Sequence, residues 1–234
     1  MRQAIHIFKR EFNSYFLSPI AYIVISIFLL VTGWFFFSTF FINNQAGMRN
    51  FFNLLPYIFS FVVPAITMRL FSEELNVGTY EILVTMPVTS VDVILGKFMA
   101  AVIFIGVMLA PTLAYPAFIS MLGDLDWGPV LGGYIGALLL GAAYSAIGVF
   151  ASSLTRNQII AFIIGVVLCF GLTLIDQILF FLPSLIVGFF QYISADYHFQ
   201  NISKGLIDSR DILYFLSVSF AGLYGSDLVM QGKK

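Results

Sequence analysis

The chain has 234 residues, of which 60% are apolar and 10% are charged, and its formal net charge is −1. An apolar fraction this large exceeds that of water-soluble domains, whose surface stays largely polar, and it indicates a membrane protein. A net charge near zero excludes the basic surface that nucleic acid requires, and the single cysteine, Cys169, excludes an internal disulfide.

The first 19 residues predict an amphipathic helix that lies in the membrane interface. In MRQAIHIFKREFNSYFLSP, apolar side chains recur every three or four residues among the basic residues Arg2, Lys9 and Arg10. This spacing puts the apolar side chains on one face and turns the basic ones toward anionic headgroups. Pro19 marks the bend into the first span. The alternative is a charged leader with no interfacial helix.

Six later segments are long and apolar enough to cross a bilayer. They run roughly over residues 20–42, 51–70, 93–121, 130–154, 159–182 and 212–230. Their continuous apolar runs lack the two-residue alternation of a membrane β-barrel, so we expect an all-α integral membrane protein with six transmembrane helices. An even number of spans places both termini on the same side.

The basic residues predict which side that is. With the termini inside, eight lysines and arginines lie inside, whereas only Arg49, Lys204 and Arg210 lie outside. This distribution follows the positive-inside rule, so we expect cytoplasmic termini and a cytoplasmic location for residues 71–91.

Residues 71–91 form a compact acidic segment between the second and third spans. Three of the four glutamates of the chain lie here, Glu73, Glu74 and Glu81. Gly78 permits a break between two short helical pieces, Pro87 ends the second, and the following TSVD resembles a helix cap. The segment is predicted to project from the membrane and to enter a groove on another protein. The alternative is a hairpin that lies in the interface.

Small residues recur along the fourth predicted span. They are spaced strictly four apart, at Gly133, Ala137, Gly141 and Ser145. Such a ridge lets helix backbones approach closely. It predicts tight helix packing, either within the chain or across a dimer.

Asp176 is the one acid placed well inside a predicted span. An ionisable group in the membrane is costly and often functional, which makes Asp176 a candidate for a proton or substrate path. It also lies only about two turns from the outer end of the span, where water or a neighbouring helix can satisfy it.

The sequence carries no sign of catalysis. The phosphate-binding pattern GxxxxGK[ST] is absent from the chain. His6 and His198 fall on opposite predicted membrane faces, so they cannot form a paired histidine metal site. We expect this chain to be neither an enzyme nor a metal protein.

The outer loop, residues 183–211, begins with an apolar stretch at residues 184–193 that is about half a bilayer long. It predicts either a short helix that dips into the outer leaflet or a cap on the bundle.

One long stretch resembles a known family. Residues 69–101, RLFSEELNVGTYEILVTMPVTSVDVILGKFMAA, are similar to the signature of ABC-2 type transporter permeases, EE(R/K)xxGTxExLLxxPV followed by GKf. The matching residues are Glu73, Glu74, Gly78, Thr79, Glu81, Pro87, Val88, Gly96 and Lys97. Segments 8–22, 148–165 and 202–218 are similar as well, so the resemblance covers essentially the whole chain.

Within that family, the outer sequence ISKGLIDSRD makes the chain most similar to the gliding-motility-associated permeases. Two features depart from the family pattern. NVG stands where a charged pair usually precedes the glycine, and the last span is less apolar than expected and carries Asp227.

The resemblance implies one permease domain over residues 1–234 with a type V exporter-like fold. It would contain an N-terminal elbow helix, a cytoplasmic coupling helix within residues 71–85 and short outer re-entrant helices. It also implies a dimer of permease chains bound to two cytoplasmic ABC ATPase subunits, which bind ATP and Mg²⁺, while this chain holds no cofactor. The expected setting is the inner membrane of a bacterium, and the expected activity is export.

Two other functions remain open at this point. The chain can instead be an ATPase-driven component of a motility or envelope machine that moves no substrate, because fold does not dictate function. It can also be an ion-driven secondary carrier, for which Asp176 is the best support, although no repeated halves are visible in the sequence.

Overall fold

The computed structural model describes residues 2–43, 47–80, 88–178, 184–206 and 208–233, and every regular element in these ranges is helical. In chain order the α-helices are α1 (Arg2–Leu17), α2 (Pro19–Asn43), α3 (Arg49–Thr67), α4 (Arg69–Val77), α5 (Ser90–Leu109), α6 (Ala114–Leu122), α7 (Trp127–Leu154), α8 (Gln158–Ile178), α9 (Ser184–Gln191), α10 (Ala195–Ser203) and α11 (Ser209–Gln231). A short 3-10 helix, Ala110–Leu113, joins α5 to α6.

Among the described residues, six helical segments are long and apolar enough to cross a membrane. They are Pro19–Ser38, Arg49–Val77, Ser90–Leu122, Trp127–Leu154, Gln158–Ile178 and Ser209–Gln231. Each coincides with one predicted span, which confirms the all-α class and the number of spans. The predicted end of the fifth span, residues 179–182, lies outside the described residues.

Helix α7 occupies the centre of the bundle. In its most apolar window 72% of the residues are buried, compared with 28%, 22% and 17% for α2, α8 and α11. A Cβ atom added to Gly133 would overlap the ring of Phe52 on α3, and one added to Gly141 would lie 3.0 Å from a side chain of α5. Ala137 and Ser145 are fully buried. The small residues therefore let α7 approach α3 and α5 within the chain.

The last helix, α11, lies along α7. A Cβ atom on Gly222 would be 2.8 Å from the carbonyl carbon of Ala146, so the two helix backbones nearly touch there. At the C-terminal ends of both helices, the Nζ atom of Lys233 donates a hydrogen bond to the carbonyl oxygen of Ser153, at 2.6 Å. These two contacts fix α11 to the central helix.

Helix α1 packs against the beginning of α5. A Cβ atom on Gly96 would lie 2.8 Å from the side chain of Ile7, so this glycine allows the close approach. The ring of Tyr15 stacks on that of Phe104, with centroids 4.9 Å apart. Pro19 is the first residue of α2, where proline is favoured because its missing N–H has no partner to lose. We call the end of the bundle that holds α1 and α4 the elbow side, and the opposite end the far side.

Helix α10 covers the far side. Its residues Phe199 and Ile202 are fully buried. A Cβ atom on Gly132 would overlap the carbonyl oxygen of Ile202, so α7 and α10 are in backbone contact. The apolar stretch at residues 184–193 begins with the short helix α9. The resemblance implied more than one short helix in this loop, but the sequence did not indicate that α10 is buried.

Candidate functional site

The second span is interrupted at Met68, where α3 gives way to α4. The hydroxyl of Ser152, on α7, donates to the carbonyl oxygen of Met68 at 2.7 Å. The Oγ atom of Ser152 in turn accepts hydrogen bonds from the backbone N–H groups of Phe71 and Ser72, at 2.9 and 3.0 Å. The side chain is thus inserted into the hydrogen-bond ladder, which is a recognised cause of a local helix break. Helix α3 therefore ends at Thr67, three residues before the predicted end of the span.

A charge cluster, which we define as Arg10, Glu11, Glu74 and Lys97, joins three helices at the elbow side. Lys97 Nζ lies 2.8 Å from Glu74 Oε1 and 3.3 Å from Glu11 Oε1. Arg10 Nη2 lies 2.7 Å from Glu11 Oε1 and 3.3 Å from Glu74 Oε1. Both carboxylates therefore face two cations, and the cluster ties α1 to α4 and to the first turns of α5.

The burial of Lys97 makes this cluster more than a surface feature. Its side chain is 1% exposed, and those of Glu11 and Glu74 are 15% and 19% exposed. The ammonium group also lies 5.2 Å from the ring centroid of Phe71. A buried lysine is costly unless it is paired and hydrogen-bonded, so the two glutamates explain why this charge is tolerated in the core.

The electrostatics of α1 agree with this geometry. Burial tends to raise the pKa of Glu11, but the positive charges of Lys97 and Arg10, together with their hydrogen bonds, outweigh it and lower the pKa. Burial likewise tends to lower the pKa of Arg10, and the neighbouring carboxylates raise it instead. Both groups are therefore held in their charged forms.

The residues expected to couple to an ATPase occupy different environments. Glu73 is exposed, whereas Glu74 is turned toward its own chain and belongs to the charge cluster. Gly78 ends α4 with φ +81°, a left-handed conformation that favours glycine, as the predicted break requires. Thr79 is exposed and its hydroxyl donates to the carbonyl oxygen of Glu74 at 3.5 Å. Glu81 and Pro87 lie outside the described residues.

A comparison with models of known protein families identifies the family of this chain. The model of the family described as ABC-2 family transporter protein matches residues 5–206. The chain belongs to the ABC-2 transporter family. The match begins within α1 and extends through α10, so it includes the charge cluster and the interrupted second span. A comparison with curated proteins finds no match.

Asp176 lies near the far end of α8 in this ABC-2 protein and is partly exposed. It faces Asp196 of α10, which is buried and accepts a hydrogen bond from Gln200 at 3.3 Å. Burial raises the pKa of Asp196 to about 6, and the negative charge of Asp176 adds to the effect. Within the described residues, no three acidic, histidine or cysteine side chains converge to hold a metal ion.

Sequence reasoning missed a buried hydroxyl network inside the ABC-2 bundle. Thr173 Oγ1 lies 2.8 Å from Ser60 Oγ and 2.6 Å from the hydroxyl of Tyr144. The network joins α3, α7 and α8, and all three residues are fully buried. Isolated hydroxyl residues in apolar runs give no signal of this kind, because their pairing depends on how the helices pack.

Sequence reasoning also missed a buried histidine, because its contacts likewise depend on how the helices pack. His198 Nδ1 lies 2.6 Å from Asp211 Oδ1, and Nε2 lies 3.2 Å from the carbonyl oxygen of Tyr192. The ring stacks on that of Tyr214, with centroids 4.1 Å apart. These contacts fasten α10 to the first turns of α11 on the far side.

Proposed function

We propose that this ABC-2 permease component receives the force of ATP hydrolysis through α4 and the segment that follows it. The family is a membrane component that works with an ABC ATPase, and it is not itself catalytic. The observation that carries the proposal is the attachment of α4: the charge cluster binds it to α1 and α5, and Ser152 binds it to α7. Displacing α4 would therefore displace α1 and the first turns of α5 with it, relative to α7.

The surface of α4 that remains open suits a docking role. Val77 is 69% exposed, and Glu73, Asn76 and Thr79 are exposed beside it. Together they form a mixed apolar and polar end of a short helix, which is a common shape for insertion into a groove. Glu73, Gly78, Thr79, Glu81 and Pro87 remain the proposed contact residues. Glu74 acts from within the chain by holding α4 in position.

Coupling requires that the ATPase bind α4 differently in its ATP-bound and open states. A partner with equal affinity for both conformations of the permease would shift nothing. ATP-driven closure of the ATPase would move α4 and, with it, the elements in the charge cluster. The bundle would then pass between inward-closed and outward-open arrangements.

The assembly that we propose contains two permease chains and two ATPase subunits, with ATP and Mg²⁺ bound by the ATPases. The second permease is either a second copy or a related chain. Helices α2, α8 and α11 support this arrangement, because most of their apolar residues are not buried within one chain. Membrane lipid covers the rest.

Both termini would lie in the cytoplasm and the spans in a bacterial inner membrane, because eight basic residues fall on that side against three on the other. The proposed direction is export. We place the chain nearest to the gliding-motility-associated permeases on the strength of residues 202–211 together with the other segments that resemble the family. A force-transmitting role in a motility or envelope machine would use the same contacts of α4.

Mutation of the open end of α4 tests the proposal. Val77→Asp puts a charge at the proposed contact, while the side chain points away from the core, so we expect the variant to fold and to lose the ATPase. The measurement is affinity purification of the tagged chain from native membranes, followed by identification of a Walker-motif ATPase and assay of vanadate-sensitive ATP hydrolysis. Leu206→Asp is the matched control, because Leu206 is 68% exposed on the far side.

Two outcomes would refute this function. One is recovery of the same ATPase with Val77→Asp at the wild-type level and with wild-type activity. The other is equal loss with Leu206→Asp, which would show that any exposed acid disturbs the chain. A variant that melts at the wild-type temperature and purifies without its ATPase is the expected result.

A further inference from the structure

Two adjoining cavities lie at the elbow side, where α1 meets α4. The larger has a volume of about 410 Å³, and its wall includes Ser14, Ser18, Arg69 and Glu73 beside the charge cluster. The smaller has a volume of about 150 Å³ and shares Arg69 and Glu73 with the larger one. The two cavities therefore meet at one pair of oppositely charged residues.

Within the part of the chain that the structure describes, the charges at this junction are not satisfied by other residues. The four members of the charge cluster pair with one another, but neither Arg69 nor Glu73 forms an ion pair with any residue that the structure describes. The guanidinium of Arg69 lies 5.4 Å from the ring centroid of Tyr15, which leaves its N–H groups available. Because they are four residues apart on α4, Arg69 and Glu73 lie on the same face of the helix.

The smaller cavity is mainly apolar. Beyond the shared residues, its wall includes Ile20 and Val24 of α2, Ile66 of α3 and Phe104 of α5. Ile20 lies in the first turn of α2 and Ile66 in the last turn of α3, so this cavity opens at the elbow-side ends of two membrane-spanning helices. A polar chamber thus continues into an apolar cleft at the level where lipid headgroups meet acyl chains.

We propose that the two cavities bind one aminophospholipid from the leaflet that meets α1. The phosphate is held by the guanidinium of Arg69 and the hydroxyl of Ser14, and the primary ammonium by the carboxylate of Glu73. Guanidinium groups bind phosphate oxygens through paired, charge-assisted hydrogen bonds. One free cation beside one free anion suits a headgroup that carries both charges. Part of an acyl chain fills the apolar cleft, and the remainder lies in the surrounding bilayer.

The bound lipid would connect α1 and α4 at a second place, next to the charge cluster. Ser14 is on α1, whereas Arg69 and Glu73 are on α4, so the headgroup spans the gap between the two helices. This makes the position of α4 sensitive to the lipid composition of that leaflet. The site shares Glu73 with the proposed ATPase contact, but lipid binding requires no partner protein, so the purified chain alone tests it.

Lipid binding to the purified full-length chain tests the site. Native mass spectrometry would follow titration with phosphatidylethanolamine, phosphatidylglycerol and phosphatidylcholine of the same chain length. We expect the wild type to retain phosphatidylethanolamine in preference to the other two. Arg69→Gln should weaken this binding about tenfold, as expected for loss of a charge-assisted hydrogen bond. Glu73→Gln should abolish the preference for phosphatidylethanolamine over phosphatidylglycerol.

One control and one further test variant keep the result interpretable. Arg49→Gln makes the same substitution at an exposed arginine on the far side of the same span, so its lipid binding should be unchanged. Ser14→Ala removes an exposed hydroxyl that forms no hydrogen bond with any described residue, so it should weaken binding without affecting folding.

Three results would overturn the proposal. The first is equal retention of the three lipids by the wild type. The second is wild-type affinity for phosphatidylethanolamine in both Arg69→Gln and Ser14→Ala. The third is complete displacement of the lipid by millimolar inorganic phosphate, which would make the site an anion site that does not recognise lipid. Persistence of the lipid in phosphate supports recognition of the headgroup together with its acyl chain.

Discussion

Replacing Lys97 by methionine tests whether the charge cluster holds the elbow side together. Methionine keeps an unbranched side chain of similar length and removes the ammonium group, with its charge and its hydrogen-bond donors. Glu11 and Glu74 would then share Arg10 alone, at 2.7 and 3.3 Å, and Arg10 is 55% exposed. Two carboxylates that are mostly buried would face each other with too little positive charge.

The cost of this change follows from burial. Breaking a buried ion pair by removing one partner costs about 3–5 kcal/mol. Arg10 and the residual exposure of both carboxylates reduce the penalty, so we expect about 3 kcal/mol for Lys97→Met. For a chain of this size, 1 kcal/mol corresponds to about 2–4 °C in melting temperature. The expected decrease is therefore about 6–12 °C.

Thermal unfolding of the purified chain in detergent micelles would measure the effect. Lys9→Met is the matched control, because Lys9 is exposed on the same helix as Glu11 and forms no ion pair with any described residue. The triple variant Lys97→Met, Glu11→Gln, Glu74→Gln should melt well above Lys97→Met, since it removes the orphaned carboxylates together with the lysine. This non-additivity is the signature of direct coupling.

Lowering the pH should also reduce the stability of the wild-type chain. Because the pKa of Glu11 is lower in the folded chain than its ordinary value of 4.5, its contribution to stability is fully present above pH 4.5. That contribution is lost as the pH falls through the lowered pKa. A Lys97→Met variant that melts with the Lys9→Met control, or a triple variant that melts below Lys97→Met, would refute a stabilising cluster.

Two further variants probe the central helix and the far side. Gly133→Ala should cost about 1–3 kcal/mol, because its methyl group would overlap the ring of Phe52. Gly171→Ala should be neutral or stabilising, since beyond the adjoining backbone of its own helix no described atom lies within 4 Å of the added carbon. Melting temperatures that fall equally in the two variants would contradict this. Asp196→Asn should raise the melting temperature at pH 7.5 but not near pH 4. The folded-state pKa of about 6 exceeds the ordinary 3.8, so stability decreases as the pH rises between them, by roughly 3 kcal/mol in total. Equal melting of Asp196→Asn and wild type at pH 7.5 would refute a buried charge there.

Local signals in the sequence predicted the elements well. Six spans follow from length and hydropathy alone, because lipid requires each crossing segment to satisfy its own backbone. The break at Gly78 follows from its tolerance of positive φ, which is +81°. The TSVD cap also forms: Thr89 precedes α5 and its hydroxyl accepts the backbone N–H of Asp92 at 3.2 Å. Each of these features depends on residues close together in the chain.

The chemistry of the elbow side could not be predicted in this way. Lys97 matched the family pattern, yet its partners Glu11 and Glu74 are 86 and 23 residues away in sequence. The break at Met68 has no glycine at its centre, and its cause is the hydroxyl of Ser152, 84 residues away. Sequence reasoning proposed Glu74 as a coupling residue but gave no sign of its ion pairs with Lys97 and Arg10. Each of these features depends on polar groups that are far apart in the sequence and that the fold brings together.

The strengths of these contacts indicate which parts of the elbow side move together. Opening the charge cluster would leave the ammonium of Lys97 buried and unpaired, which costs several kcal/mol, so α1, α4 and the first turns of α5 behave as one body. The Ser152 link consists of neutral hydrogen bonds, each worth about 1 kcal/mol and easily rearranged within a helix ladder. A force on α4 would therefore be released first at Ser152. Under the proposed function, α1, α4 and α5 would pivot on α7 at that hydroxyl, while the rest of α3 keeps its packing against Gly133.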